Sequence, residues 1–289
     1  MKAPILFVIC ILSVLQFSCS NKHKGSTAND KPIKISDQGV NIAYSDSGKG
    51  DTTLLFVHGW GLNRSYWSNQ ANYFNKKYRV ITIDLPGFGQ SGKNRTVWNT
   101  EVYGRDVDTV ISQLHLKNVI LIGHSMAGDI VLQAAVNAPD KVIGLVGVDN
   151  FKNIGHVETP QEKKEYTVAI NEMKHHFKQF AIQWFDQNLF YKTTADSIKT
   201  RILNDITKAD SVIATACIQD DNFNEAKELN SSKKKLYLIN SDYTPTDTVG
   251  FKTNHIPYQV FYIQATGHFP MVEKPKEFNT ALSDILTKL

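Results

Sequence analysis

The chain has 289 residues, 42% of them hydrophobic, and a formal net charge of +4. That is enough apolar material for one large packed domain or two small ones, and it excludes wholesale disorder. The basic residues are scattered; the one short run, Lys233-Lys234-Lys235, has no arginine or aromatic stripe beside it, so it reads as a solvated segment and no nucleic-acid partner is expected.

The N-terminus reads as an address. Lys2 precedes the uncharged apolar run Pro4 to Leu15, which has signal-peptide length and is short for a membrane span. It ends in Gln16-Phe17-Ser18-Cys19, and a small residue directly before a cysteine resembles the lipobox of bacterial lipoproteins. The expectation is export, cleavage after residue 18 and lipidation of Cys19, giving a membrane-anchored protein of the periplasm or cell surface. Residues 19–32 are polar and lack periodicity, as a flexible tether does.

From residue 33 strands and helices alternate. Val40 to Tyr44 reads as an early antiparallel strand. Continuous apolar runs follow at Thr53–Val57, Arg79–Ile83, Asn118–Ile122, Val142–Val148, Lys235–Ile239 and Gln259–Ile263. Such runs are expected of strands buried on both faces. Helical patterns lie between them, for example Tyr103 to Leu114 and Met126 to Ala138. Strand–helix alternation with short connections implies a mainly parallel sheet flanked by helices. Residues 151–232 break the rhythm and read as amphipathic helices, including Pro160 to Phe190 and Ser197 to Ala216: a helical cap inserted into a core of residues 33–150 and 233–289. Pro275 to Leu289 reads as a closing helix. Cys217 is the one cysteine of the body, so no disulfide forms within it. No Cys/His spacing suits a metal; His175 and His176 are adjacent and point to different sides of a helix.

The segment Ile120-Leu121-Ile122-Gly123-His124-Ser125-Met126-Ala127-Gly128 passes from strand through a tight turn into helix. A serine held on such a turn presents its hydroxyl above the sheet edge, provided the residues two positions away are small. Gly123 meets the requirement; Ala127 departs from the usual glycine by one methyl. The following helix N-terminus favours developing negative charge.

With these motifs the chain resembles the α/β-hydrolase fold family. His58-Gly59-Trp60-Gly61-Leu62-Asn63 is especially similar to carboxylesterases such as the pimeloyl-ester esterase. The resemblance covers roughly residues 33–150 and 233–289 and implies an eight-stranded type of sheet. It also implies a serine esterase without metal or organic cofactor, acting on a small-molecule ester. By the same resemblance Ser125 is the nucleophile and His268, in Thr266-Gly267-His268-Phe269, the general base. The backbone N–H groups of Trp60 and Met126 form the oxyanion hole, and Asp84 in Asp84-Leu85-Pro86-Gly87-Phe88-Gly89 is structural. The triad acid is expected at Asp242, where Asn240-Ser241-Asp242-Tyr243-Thr244-Pro245 departs from the family pattern by an asparagine for glycine and by shorter spacing. Asp247 is a loop alternative, and Asp149, which ends the strand before the insertion, is another, since some family members take their acid there. Ser125 at the elbow argues against a haloalkane dehalogenase. A C–C bond hydrolase, a cofactor-free perhydrolase and a ligand-binding or signalling protein share the constellation. Oligomeric state is not encoded in these motifs.

Overall fold

The expected apolar runs form the strands of a parallel sheet in the computed structural model, which describes residues 39–219 and 223–289 and, as backbone, Ile33–Lys34. The signal segment, Cys19 and the tether lie outside the described residues. Among the described residues no helix is long and apolar enough to cross a membrane.

The strands are β1 (Ile33–Lys34), β2 (Asn41–Ile42), β3 (Tyr44–Asp46), β4 (Thr53–Val57), β5 (Arg79–Ile83), β6 (Val119–His124), β7 (Val142–Val148), β8 (Leu236–Ser241) and β9 (Tyr258–Ile263). β3 to β9 form one sheet in the order β3-β5-β4-β6-β7-β8-β9, with β3 antiparallel to β5 and every other pairing parallel. β4 and β6, near the middle, are buried at every residue, as strands covered on both faces must be.

Among the described residues the sheet has seven strands where eight were expected. The early strand read as Val40 to Tyr44 breaks at Ala43. The Ala43 N–H donates to Ser91 Oγ at 2.9 Å, and its carbonyl accepts from Asp84 N at 2.8 Å. With its ladder groups diverted, the segment splits: Asn41–Ile42 pairs with Ile33–Lys34 apart from the main sheet, and only Tyr44–Asp46 joins it.

The helices are α1 (Ser68–Phe74), α2 (Thr100–Gln113), α3 (Ala127–Asn137), α4 (Pro160–Asn188), α5 (Asp196–Ile206), α6 (Ser211–Ile218), α7 (Glu225–Ser232), α8 (Val249–Thr253), α9 (Pro270–Glu273) and α10 (Pro275–Leu286). α2, α3 and α7 pack as one group, and α1, α9 and α10 as another, against the sheet. One continuous apolar core joins them, with Phe56, Tyr66, Trp67 and Phe278 among its largest fully buried side chains.

Helices α4 to α7 lie between β7 and β8 and make up the insertion. α4 starts at a capping box, Thr159 with Glu162, and Pro160 occupies its first turn. The run expected to be continuous to Phe190 is interrupted at His176, whose backbone is not helical (φ −133°, ψ 37°). The helix expected over Ser197 to Ala216 is two helices, because Asp210 accepts from Val212 N and Ile213 N and so starts a new one.

Candidate active site

Every polar residue singled out for catalysis sits where a parallel strand ends, on one edge of the sheet. β4 leads to His58-Gly59-Trp60, β6 to Ser125, β7 to Asp149, β8 to Asp242 and β9 to His268. In open α/β sheets that carboxyl edge is where ligands bind.

Ser125 occupies the left-handed region at φ +54°, between the last residue of β6 and the N-terminal turn of α3. For a residue with a Cβ this conformation costs on the order of 1 kcal/mol or more. Two backbone bonds hold it there: Ser125 N donates to Val148 O at 2.9 Å, and Gly128 N donates to Ser125 O at 2.8 Å. A Cβ on Gly123 would lie 2.2 Å from the Ala127 carbonyl oxygen, so strand and helix converge too closely for any side chain at 123. Ala127 is fully buried yet keeps its methyl.

The carboxylate that touches the histidine is Asp149. His268 Nδ1 donates to Asp149 Oδ2 at 2.5 Å, while Asp149 Oδ1 accepts from Ser241 N and Ser241 Oγ, both at 2.8 Å, and pairs with Lys152 Nζ at 2.9 Å. Burial alone would raise the Asp149 carboxyl. The hydrogen bond and charge of His268, followed by those of Lys152, outweigh it and hold Asp149 well below the usual carboxylate range. The group is thus an anion at neutral pH, fit to hold an imidazole in its Nδ1–H form.

This corrects the expectation at Asp242. That side chain accepts from Ala265 N at 2.8 Å and makes no contact with His268. Ala265 is itself left-handed, at φ +53°, immediately after β9, and Asp242 ties down that turn. The shortened loop around Asp242 leaves it serving the strand end beside it. Asp247 is engaged elsewhere as well: its Oδ1 accepts from Val249 N at 2.8 Å, at the start of α8.

Ser125 and His268 line a common cavity of about 260 Å³, together with Trp60 and Met126, the expected oxyanion donors. The cap closes it with Trp184, Phe185 and Leu189 from α4 and its end, and with Cys217 and Ile218 from α6. Trp60 points its indole into the cap, donating from Nε1 to Ala214 O at 2.8 Å. Its ring centroid lies 5.8 Å from those of both Phe177 and Phe185. The Trp60 side chain therefore packs into the cap.

Comparison with known proteins decides the family. A family model described as the alpha/beta hydrolase fold matches residues 52–275. The chain belongs to the α/β-hydrolase fold family. It is 24% identical over 255 residues to the dihydrolipoyllysine-residue acetyltransferase component of the acetoin cleaving system of Cupriavidus necator, covering 84% of this chain and 66% of that one. It is 22% identical over 259 residues to 3-oxoadipate enol-lactonase 2 of Acinetobacter baylyi, covering 88% of this chain and 96% of that one. Among solved structures, a thermophilic esterase from Thermogutta terrifontis superposes with a TM-score of 0.76 at 21% identity, covering 89% of this chain and 97% of that one. That likeness is one of fold.

Within this α/β-hydrolase, residues that the sequence reading passed over brace the site. Asn150 Nδ2 donates to Gly123 O at 3.0 Å and to Ser125 O at 3.2 Å, so the residue after Asp149 holds the serine turn. Asn240 Nδ2 in turn donates to Asn150 O at 3.0 Å. The asparagine that stands where the family has glycine thus braces the Asp149 loop from β8. Glu273 Oε1 accepts from Gly267 N at 2.9 Å and Phe269 N at 3.3 Å, fixing the backbone on both sides of His268; its Oε2 accepts from Thr194 Oγ1 at 2.6 Å, in the cap. His268 N donates to Leu189 O at 2.8 Å, and a Cβ on Gly267 would lie 2.3 Å from that same oxygen. The end of α4 therefore rests directly on the histidine loop.

His124 is buried and donates from Nε2 to the His268 carbonyl at 2.8 Å, which leaves Nδ1 as an unprotonated acceptor. Burial, then the neighbouring His268, lowers its pKa to about 3, so it is neutral. A Cβ on Gly59 would lie 2.6 Å from His124 Nδ1, a contact that only glycine at 59 permits. Asp84 is structural, as expected. It pairs with Arg64 and accepts from Arg64 N at 2.6 Å and Gln90 N at 2.9 Å.

Proposed function

We propose that the chain is a serine hydrolase cleaving carboxylic esters, with Ser125 as nucleophile, His268 as general base and Asp149 as the acid. The observation that carries this reading is the 2.5 Å contact between His268 Nδ1 and the buried Asp149 carboxylate, with Ser125 strained at φ +54° on the same cavity. Asp149 accepts the Nδ1–H and leaves the lone pair of Nε2 to take the proton of Ser125 Oγ. The serine oxygen bonds to the acyl carbon, and the backbone N–H groups of Trp60 and Met126 receive the oxyanion. A pair of this kind is worth roughly 3–4 kcal/mol for each donor in the transition state. The alkoxide leaves with the proton from His268 Nε2. Water, deprotonated by the same nitrogen, then hydrolyses the acyl-enzyme and restores Ser125. Lys152 keeps Asp149 ionised and, with Ser241, aimed.

A fluorophosphonate probe and p-nitrophenyl acetate test the proposal together. The expected outcome is covalent labelling and ester turnover, both lost in Ser125→Ala, with turnover falling on the order of 10⁴-fold or more. Labelling without turnover of any ester would assign the fold to ligand binding or to C–C bond cleavage. Labelling that persists in Ser125→Ala would remove the nucleophile assignment.

A further inference from the structure

The loop after β7 folds back on its own aspartate. Asp149 and Phe151 are both left-handed, each at φ +49°, a region that side chains with a Cβ seldom occupy. Lys152 O accepts from Asp247 N at 2.7 Å, which ties the far end of the turn to the loop after β8. The reversal returns residue 152 to residue 149. Lys152 Nζ lies 2.9 Å from Asp149 Oδ1 and donates to Ser241 Oγ at 3.4 Å.

The two oxygens of Asp149 are thereby divided. Oδ1 takes Ser241 N, Ser241 Oγ and the Lys152 ammonium, and Oδ2 takes His268 Nδ1. The Asp149 side chain is 2% exposed and that of Lys152 19%, so water screens little of their attraction. An imidazolium forms at His268 whenever it holds a proton on both nitrogens, and the Asp149 anion favours that cation. The Lys152 ammonium opposes it twice, by drawing on the same anion and by repelling a second positive charge. The neutral imidazole, which is the form that acts as a base, is favoured in consequence.

We propose that Lys152 is a positioning residue of the triad which, by sharing the charge of Asp149, extends the action of His268 as a base to lower pH. This rests on the esterase reading above. Other ionisable groups face the same corner from the elements around it. The His124 ring, from β6, lies 4.8 Å from that of His268. Asp129 from α3 and Cys217 from α6 are in the cavity wall. Asp242 at the end of β8 and Glu273 from α9 accept from the backbone of Ala265 and Gly267, and Asp247 adjoins the Lys152 carbonyl through its backbone N–H. All of these are common to the parent and to a Lys152 variant, so the difference between the two reports the ammonium. An ion pair that only fastened the loop would leave the pH profile where it is.

The test follows kcat/KM for p-nitrophenyl acetate, and the rate of fluorophosphonate labelling, from acid to neutral pH on the full-length protein. The variants are Lys152→Met, which keeps the length of the side chain, Lys152→Gln, which keeps a hydrogen-bond donor, and Lys152→Arg, which keeps the charge. In Lys152→Met and Lys152→Gln the acid limb of both profiles is expected to move to higher pH by roughly half a unit or more. Activity measured on that limb then falls about threefold or more. Lys152→Arg is expected to keep the limb near that of the parent. On the plateau kcat/KM stays within about tenfold of the parent in all three, because Ser241 still holds Asp149 through two donors. A limb that stays in place in Lys152→Met, or moves to lower pH, overturns the proposal, as does a shift in Lys152→Arg as large as in Lys152→Met. A shift in Lys152→Met but not in Lys152→Gln assigns the effect to the hydrogen bond and overturns the role given to the charge. Failure of both charge-free variants to fold makes the ammonium a fastening of the loop and also overturns it. A parent with neither turnover nor labelling overturns the esterase reading and this proposal together, whereas an active parent with an unmoved limb in the variants overturns this proposal alone.

Discussion

The strand-end loops and the cap differ in how their residues are held. At the loops the residues around Ser125 and His268 are tied by hydrogen bonds: Asp149 takes Ser241, Lys152 and His268, Asn150 Nδ2 takes the carbonyls of Gly123 and Ser125, and Glu273 takes the backbone around His268. Over the same cavity the cap contributes rings and aliphatic chains, and Trp184 remains 43% exposed. Hydrogen-bond networks fix a geometry, because leaving a buried polar group unmatched costs about 1–3 kcal/mol. Apolar contacts tolerate substitution when volume is roughly kept. The fold thus ties its polar residues at the sheet edge and covers them with a largely apolar cap. The two regions meet where His268 N donates to Leu189 O and where Thr194 Oγ1 donates to Glu273 Oε2, so the cap touches the histidine loop through one backbone bond and one carboxylate.

The comparison makes a larger prediction about the loops and a smaller one about the cap. His124 has a folded value near 3, below its ordinary 6.5, so between those values the unfolded chain binds the extra proton. Stability is therefore full above about 6.5 and is lost as pH falls toward 3, at up to about 1.4 kcal/mol per pH unit from this group. Buried His58, also lowered by desolvation, adds a slope of the same sign. Denaturant unfolding across that range is expected to show a shallower slope in His124→Gln, by about one proton, and an unaltered slope in Trp184→Ala. An equal slope in parent and His124→Gln would mean that the buried imidazole is not coupled to folding. The smaller effect belongs to the cap: Trp184→Ala is expected to raise KM for p-nitrophenyl acetate a few-fold and to leave kcat within about threefold. A kcat loss of a hundredfold there would break the division between the regions.

Much of the core was legible because its signals are local and steric. Buried parallel strands must be apolar throughout, which marks β4, β6 and β7, and an elbow serine must follow a strand and have a glycine at Gly123. The pairing of Gly267 with His268 announced itself in the same way. The acid was not legible, because a carboxylate's partner is set by where two loops distant in sequence meet. Asp149 and Asp242 both end parallel strands, and what separates them is the length of the β8 turn and the demand of Ala265 for a cap. The replacement of glycine by Asn240 pointed the right way, since its side chain braces Asn150 beside Asp149. Likewise the break at Ala43 depends on Ser91 and Asp84, far along the chain. The kink at His176 has no proline or glycine to mark it.

In the proposed triad Asp149, and not Asp242, orients His268. Side-by-side kcat/KM for Asp149→Asn and Asp242→Asn on p-nitrophenyl acetate tests it most directly. Loss of the buried anion at His268 Nδ1 is expected to lower turnover by roughly 10⁴-fold, and loss of the Ala265 cap by less than about tenfold. The reverse ranking, or small and equal losses in both variants, would contradict the account.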